Sequence, residues 1–183
     1  MVTLARLALV PPIIALSYGG ATWMVALAGG LFALGALTDW LDGWLARRLH
    51  ARSRLGTLLD PTVDKVMVLS ALLVFVDLGL APLWLVLLNL FRELLVTGVR
   101  GELSRPERVV GANWMGKTKY ALQVGVVLLF YGHLALHTRG SALPGGQTLL
   151  FWALLGVTVL SLLFMLNFLR WHVAELRRTG RSP

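Results

Sequence analysis

Six apolar stretches, each near the roughly 20 residues a helix needs to cross a hydrocarbon layer, leave this chain little choice of fold. They run over about 4–19, 21–44, 57–77, 82–100, 117–137 and 147–169. The breaks between them are Tyr18-Gly19-Gly20, a basic 47–54 stretch, Asp77 to Pro82, a polar 100–117 stretch and Pro144-Gly145-Gly146. Such polar and turn-forming residues punctuate helices. With 57% of its 183 residues hydrophobic and only 14% charged, the chain is not an ordinary soluble domain. The expected fold is all-α: a polytopic membrane protein of six transmembrane helices, forming one domain over residues 1–183. Pro11-Pro12 should kink the short first segment. The absence of cysteine excludes disulfides and thiolate metal sites. No small-residue cleavage site follows the first segment, so it does not read as a removable signal peptide.

The formal charge of +8 would suit a nucleic-acid binder, but its placement does not. Arg47, Arg48, Arg52 and Arg54 fill one connection, and Arg100, Arg105, Arg108, Lys117 and Lys119 another. The tail adds Arg170, Arg177, Arg178 and Arg181, and Arg6 lies near the start. The three alternate breaks hold only Arg139. Positive residues favour the cytoplasmic side, so both termini and the 47–54 connection are expected there. Arg105 and Arg108 suit acidic headgroups of membrane lipids, and no nucleic-acid partner is expected.

Against this apolar background, four of the nine acidic residues crowd into one region: Asp39, Asp42, Asp60 and Asp64. A carboxylate inside a bilayer helix costs roughly 2.5 kcal/mol or more, so such residues face cavities and mark function. Four together require positive charge, and a hard divalent cation bound by oxygens supplies it. Asp39 and Asp42 are spaced i, i+3, and Asp60 and Asp64 i, i+4, so each pair shares a helix face. Gly43 and Ala46 continue the Asp39 stripe and are small where a ligand would lie. Arg47 ends that stripe with a planar fork that suits phosphate. Gly56, just ahead of the second helix, would let backbone approach a ligand.

Written out, the pattern is Asp-x2-Asp-Gly-x2-Ala-Arg-x8-Gly-x3-Asp-x3-Asp, with every specified position filled. It resembles the signature of the CDP-alcohol phosphatidyltransferases, integral-membrane enzymes that join a CDP-activated lipid to an alcohol. Arg92-Glu93, followed by Gly98-Val99-Arg100, is similar to a segment of the bacterial phosphatidylglycerophosphate synthase branch. So is Gly116-Lys117-Thr118-Lys119-Tyr120-Ala121-Leu122-Gln123, with Tyr120 where threonine is usual. At the start only Thr3 and Arg6 match the branch, so an interfacial N-terminal helix is expected to be missing or shortened.

The resemblance implies attack of a hydroxyl on the lipid-side phosphorus of CDP-diacylglycerol, with release of CMP. It implies that Asp39, Asp42, Asp60 and Asp64 bind two divalent cations, Mg2+ or Mn2+, and that Asp64 also acts as general base. Asp39, Asp42, Gly43, Ala46, Arg47 and Gly56 would cradle the CDP-lipid. Arg92, Arg100, Lys117 and Lys119 would take the acceptor's phosphate, the acceptor being sn-glycerol 3-phosphate. An internal ion pair bracing the bundle is the competing reading of Arg92-Glu93, and simple membrane anchoring that of the lysines. A homodimer in the bacterial inner membrane, with its active site facing the cytoplasm, is implied as well.

A cardiolipin synthase or phosphatidylinositol-phosphate synthase type of enzyme, using another acceptor, would share the aspartate motif. A small cation transporter would explain the carboxylates but not Gly43, Ala46, Arg47 and Gly56, and no internal repeat supports it. His133, His137 and Arg139 read as solvated groups remote from the motif. Trp23, Trp84, Trp152 and Trp171 suit an aromatic belt. The last apolar segment is expected to contribute little beyond hydrophobicity.

Overall fold

The computed structural model describes residues 2–49, 54–103, 114–140 and 144–178, and the side chains of 6–38, 65–99, 118–140 and 144–170. Its elements are six α-helices: α1 (Val2–Ser17), α2 (Thr22–Leu49), α3 (Arg54–Asp77), α4 (Leu83–Leu103), α5 (Trp114–Thr138) and α6 (Gly146–Arg178). No strand occurs among the described residues. Each helix matches one of the expected apolar segments, and most outrun it. Helical hydrogen bonding continues into the charged flanks, which hydropathy alone does not include. Gly56 accordingly lies in the first turn of α3, not ahead of it.

The helices run alternately up and down. Tyr18 Oη donates to Asp77 Oδ2 at 2.9 Å, joining the far ends of α1 and α3. Thr138 and Thr22 meet through their hydroxyls at 3.1 Å, joining the end of α5 to the start of α2. Chain reversal after α3 uses Gly79 at φ +71, where a side chain would be strained. There the Leu80 and Ala81 amides both return to the Phe75 carbonyl, at 2.8 and 3.1 Å.

α1 packs along both α2 and α3, which touch each other only locally. Val10 and Ile13 supply its buried face. The helix runs unbroken through Pro11 and Pro12, and both prolines sit on its exposed side. Their missing N–H groups therefore disturb the outer surface and not the packing against α2 and α3. At the far half, Phe75 stacks on Phe130 with ring centroids 4.9 Å apart and meets Tyr131 edge-on at 4.9 Å. Phe32 closes the cluster on Tyr131, whose hydroxyl lies 3.1 Å from Ser17 Oγ. Three helices thus share one aromatic knot, to which α1 adds the Ser17 hydroxyl, with Phe32, Phe75 and Phe130 fully buried.

Large apolar side chains are also exposed on every helix, among them Leu7, Leu34, Leu73, Phe91, Leu129 and Leu163. Trp23, Trp84 and Trp152 are exposed near the far ends of α2, α4 and α6, as an interfacial belt requires. Trp171 lies outside the described side chains. Among the described residues, Thr118–Thr138 and Gly146–Arg170 are long and apolar enough to cross a membrane; Arg6–Ser17 and Thr22–Thr38 are shorter apolar helices. Charged residues at the motif end of α2 and α3, and Arg92 and Glu93 within α4, interrupt the other apolar runs.

His133 departs from expectation. It is buried, 7% exposed, and its ring lies so close to the start of α6 that a Cβ at Gly146 would be 2.5 Å from its Cε1. A solvated side chain is expected here, but the α5–α6 hairpin covers it. His137 and Arg139 are exposed, as expected.

Candidate active site

The motif divides between two helices. Asp39, Asp42, Gly43, Ala46 and Arg47 lie on α2, and Gly56, Asp60 and Asp64 on α3. Helical backbone over both segments gives each aspartate pair the common face that its spacing predicts. The side chains of all these residues lie outside the described set.

A close approach sits beneath the motif. Gly35, four residues before Asp39, packs so tightly that a Cβ there would be 2.8 Å from Met67 Sδ, three residues after Asp64. The same Cβ would be 3.9 Å from Leu9 Cδ1 on α1. α1, α2 and α3 therefore converge one turn below the aspartates, and glycine permits it. Arg6, one turn before Leu9 on α1, is only 3% exposed. A buried arginine at the motif end belongs to the site's surroundings, a role that its reading as a positive-inside residue missed.

Beside α3 stands a second charged group. Glu93 of α4 accepts from Arg92 Nη1 at 2.7 Å and, on the same Oε2 atom, from Lys119 Nζ of α5. Lys65 of α3, the residue after Asp64, pairs with Glu93 Oε1 at 3.6 Å and donates to Thr97 Oγ1. Arg92 and Lys119 are 7% and 6% exposed. Among the described residues, three cations against one carboxylate leave the cluster two positive charges in excess. Arg92 Nε also donates to the Ser161 carbonyl of α6 at 3.2 Å. Below it, Asn89 Nδ2 donates to Thr158 Oγ1 at 2.6 Å and to the Leu85 carbonyl at 3.0 Å.

Of the four expected acceptor-site residues, the structure thus brings Arg92 and Lys119 together on one carboxylate. Arg100 lies on α4 two turns past Arg92, and Lys117 on α5 beside Lys119; their side chains are outside the described set. Sequence reasoning missed Lys65 as a member, although a lysine directly after the last aspartate of an apolar helix was a usable signal. It also undervalued α6, which offers the Ser161 carbonyl and the Thr158 hydroxyl to α4.

Residues 1–171 match the family profile of CDP-alcohol phosphatidyltransferases. The chain belongs to the CDP-alcohol phosphatidyltransferase family. It is 38% identical over 135 residues to a Bacillus subtilis CDP-diacylglycerol--glycerol-3-phosphate 3-phosphatidyltransferase, covering 67% of this chain and 70% of the relative. A Pseudomonas fluorescens enzyme of the same name is 35% identical over 196 aligned positions, covering 100% of this chain and 93% of its own. An Escherichia coli enzyme so named is 35% identical over 68% of this chain and 70% of its own.

As a member of the CDP-alcohol phosphatidyltransferase family the chain is a transferase and a membrane protein, and the family is generally dependent on divalent metal. The donor chemistry fits such an ion: four carboxylates on two helices drawn together at Gly35 and Met67 offer only hard oxygens. Among the described residues no other group of three or more histidine, cysteine, aspartate or glutamate residues competes for that role.

Proposed function

We propose that this enzyme transfers the phosphatidyl group of CDP-diacylglycerol to sn-glycerol 3-phosphate, yielding phosphatidylglycerophosphate and CMP. The observation that carries the acceptor assignment is the cationic cluster of Lys65, Arg92 and Lys119, adjoining the last aspartate of the motif. An excess of two positive charges matches an alkyl phosphate near its dianionic state and has no counterpart in a neutral alcohol. The names of the relatives point to the same reaction.

Asp39, Asp42, Asp60 and Asp64 would hold two divalent cations, Mg2+ or Mn2+, which supply charge neutralisation to the diphosphate during displacement. Gly43, Ala46 and Gly56 leave room for the cytidine diphosphate, with Asp39 and Asp42 at its edge and Arg47 as a phosphate donor. Asp64 takes the proton from the acceptor hydroxyl as it attacks. Arg92, Arg100, Lys117 and Lys119 receive the acceptor's own phosphate and so aim that hydroxyl at the lipid phosphorus.

Residues 1–183 form one membrane domain of six spans. The exposed apolar side chains on all six helices and the tryptophans at the far ends favour this over two spans. Both termini and the motif face the cytoplasm of a bacterial inner membrane, and the enzyme works as a homodimer.

The test is CMP release by detergent-purified protein given CDP-diacylglycerol and Mg2+ or Mn2+. Glycerol 3-phosphate, phosphatidylglycerol, myo-inositol 1-phosphate and serine are compared in parallel, with and without EDTA. Metal-dependent CMP release with glycerol 3-phosphate alone is the expected result. Release with a different acceptor would retain the chemistry and replace the acceptor.

A further inference from the structure

Three cations of unlike geometry meet at one carboxylate, and among the described residues that carboxylate is the only acidic side chain in the group. Arg92 and Lys119 converge on a single oxygen of Glu93, while Lys65 approaches the other. The arms come from α3, α4 and α5, and Arg92 is tethered to α6 through the Ser161 carbonyl. Without Glu93, three like charges would stand within a few ångströms of each other, with Arg92 and Lys119 buried and Lys65 at their edge. Such charges splay toward water or toward headgroups, and a ligand would then have to gather them. Glu93 cannot itself bind an anion. Its distinctive capacity is to hold the anion-binding groups assembled before the anion arrives.

We propose that Glu93 is the positioning residue of the acceptor site, a carboxylate that pre-assembles Lys65, Arg92 and Lys119 for an alkyl phosphate. This rests on the acceptor reading above and adds to it a residue that touches neither substrate. Pre-assembly favours affinity for the incoming phosphate because the side-chain ordering is complete before binding. Lys65 extends the effect: fixed to Glu93 and Thr97, it holds α3 against α4 at the residue after Asp64. The acceptor phosphate and the base that deprotonates its hydroxyl are thereby referred to one point.

The experiment compares wild type with Glu93→Gln and Glu93→Asp in detergent, measuring KM for glycerol 3-phosphate and for CDP-diacylglycerol separately. Glu93→Gln keeps the shape and removes the charge. The expected result is a KM for glycerol 3-phosphate about tenfold higher, a KM for CDP-diacylglycerol within about twofold of wild type, and partial recovery in Glu93→Asp. Unchanged KM values in folded Glu93→Gln would overturn the proposal by leaving Glu93 a structural brace. A lower acceptor KM would do so too, since net charge would then outweigh arrangement, and an equal rise for both substrates would mean general distortion. Should neither variant fold, Lys65→Met decides. About a threefold rise in acceptor KM supports the proposal and no change refutes it. If wild type takes another phosphorylated alcohol in place of glycerol 3-phosphate, the acceptor reading fails alone, and the same comparison is made with that alcohol.

Discussion

The two halves of this bundle are held together by different physics. At the far half, Phe32, Phe75, Phe130 and Tyr131 interlock by shape, with a hydroxyl pair between Tyr131 and Ser17 at their edge. At the motif half, α3 to α6 are joined by Lys65, Glu93, Arg92, Lys119 and the Ser161 carbonyl. Aromatic packing tolerates no vacancy but is indifferent to ligands. A charged network is a weaker source of stability, because desolvation offsets much of the attraction, yet it can respond to an incoming anion. The division places shape-based packing at the far half and adjustable charge beside the aspartate motif.

That contrast can be broken by variants that should affect one half only. The largest effect belongs to Asp64→Asn. CMP release should fall by about a thousandfold, in line with loss of a general base, with the thermal midpoint in detergent unchanged or higher. An active Asp64→Asn enzyme would remove the motif half from the chemistry. Next, Phe75→Ala should destabilise the protein by about 3 kcal/mol, read as a lower thermal midpoint, because it empties a fully buried aromatic site. Its KM for both substrates at low temperature should match wild type, and a changed acceptor KM would show that the halves are coupled.

A smaller loss is expected midway between the two regions. Thr158→Val leaves Asn89 Nδ2 with only the Leu85 carbonyl as partner and should cost about 1 kcal/mol in the same melting assay. Smallest of all is Tyr18→Phe, which removes an exposed hydrogen bond to Asp77. That bond, with the nearby carboxylate charge, holds the Tyr18 phenol above its usual value of 10.0. A folded-state pKa raised above the unfolded one contributes stability below the unfolded value, and loses it as pH rises through the folded one. Any difference between wild type and Tyr18→Phe should therefore be seen at neutral pH and vanish in strongly alkaline buffer.

The sequence exposed the two halves unequally. Helix positions were legible because apolar runs and turn residues mark them, and the aspartate motif was legible because carboxylates are rare in such runs. The aromatic knot was not: Phe32, Phe75 and Phe130 look like any other apolar residues until the helices are paired. The charged cluster was half visible. The Arg92–Glu93 ion pair was one of the two readings of that segment, and it forms. The arrival of Lys119 at the same carboxylate depends on the rotation of α5 against α4, which spacing along one helix does not contain. His133 shows the same gap, since its burial comes from a neighbouring helix and not from its own. The contribution of α6 was hidden for a further reason: the group that Arg92 uses there is a backbone carbonyl, which every residue has.

The position of α1 bears on how the protein is made. This helix lies along both α2 and α3, and Leu9 reaches the spot where Gly35 and Met67 meet. During synthesis it leaves the ribosome before either of them. The two helices that carry the aspartates therefore emerge one after the other behind a packing partner that is already made. The two helices that bear the aspartates meet against the helix made just before them, although that helix carries no carboxylate of its own.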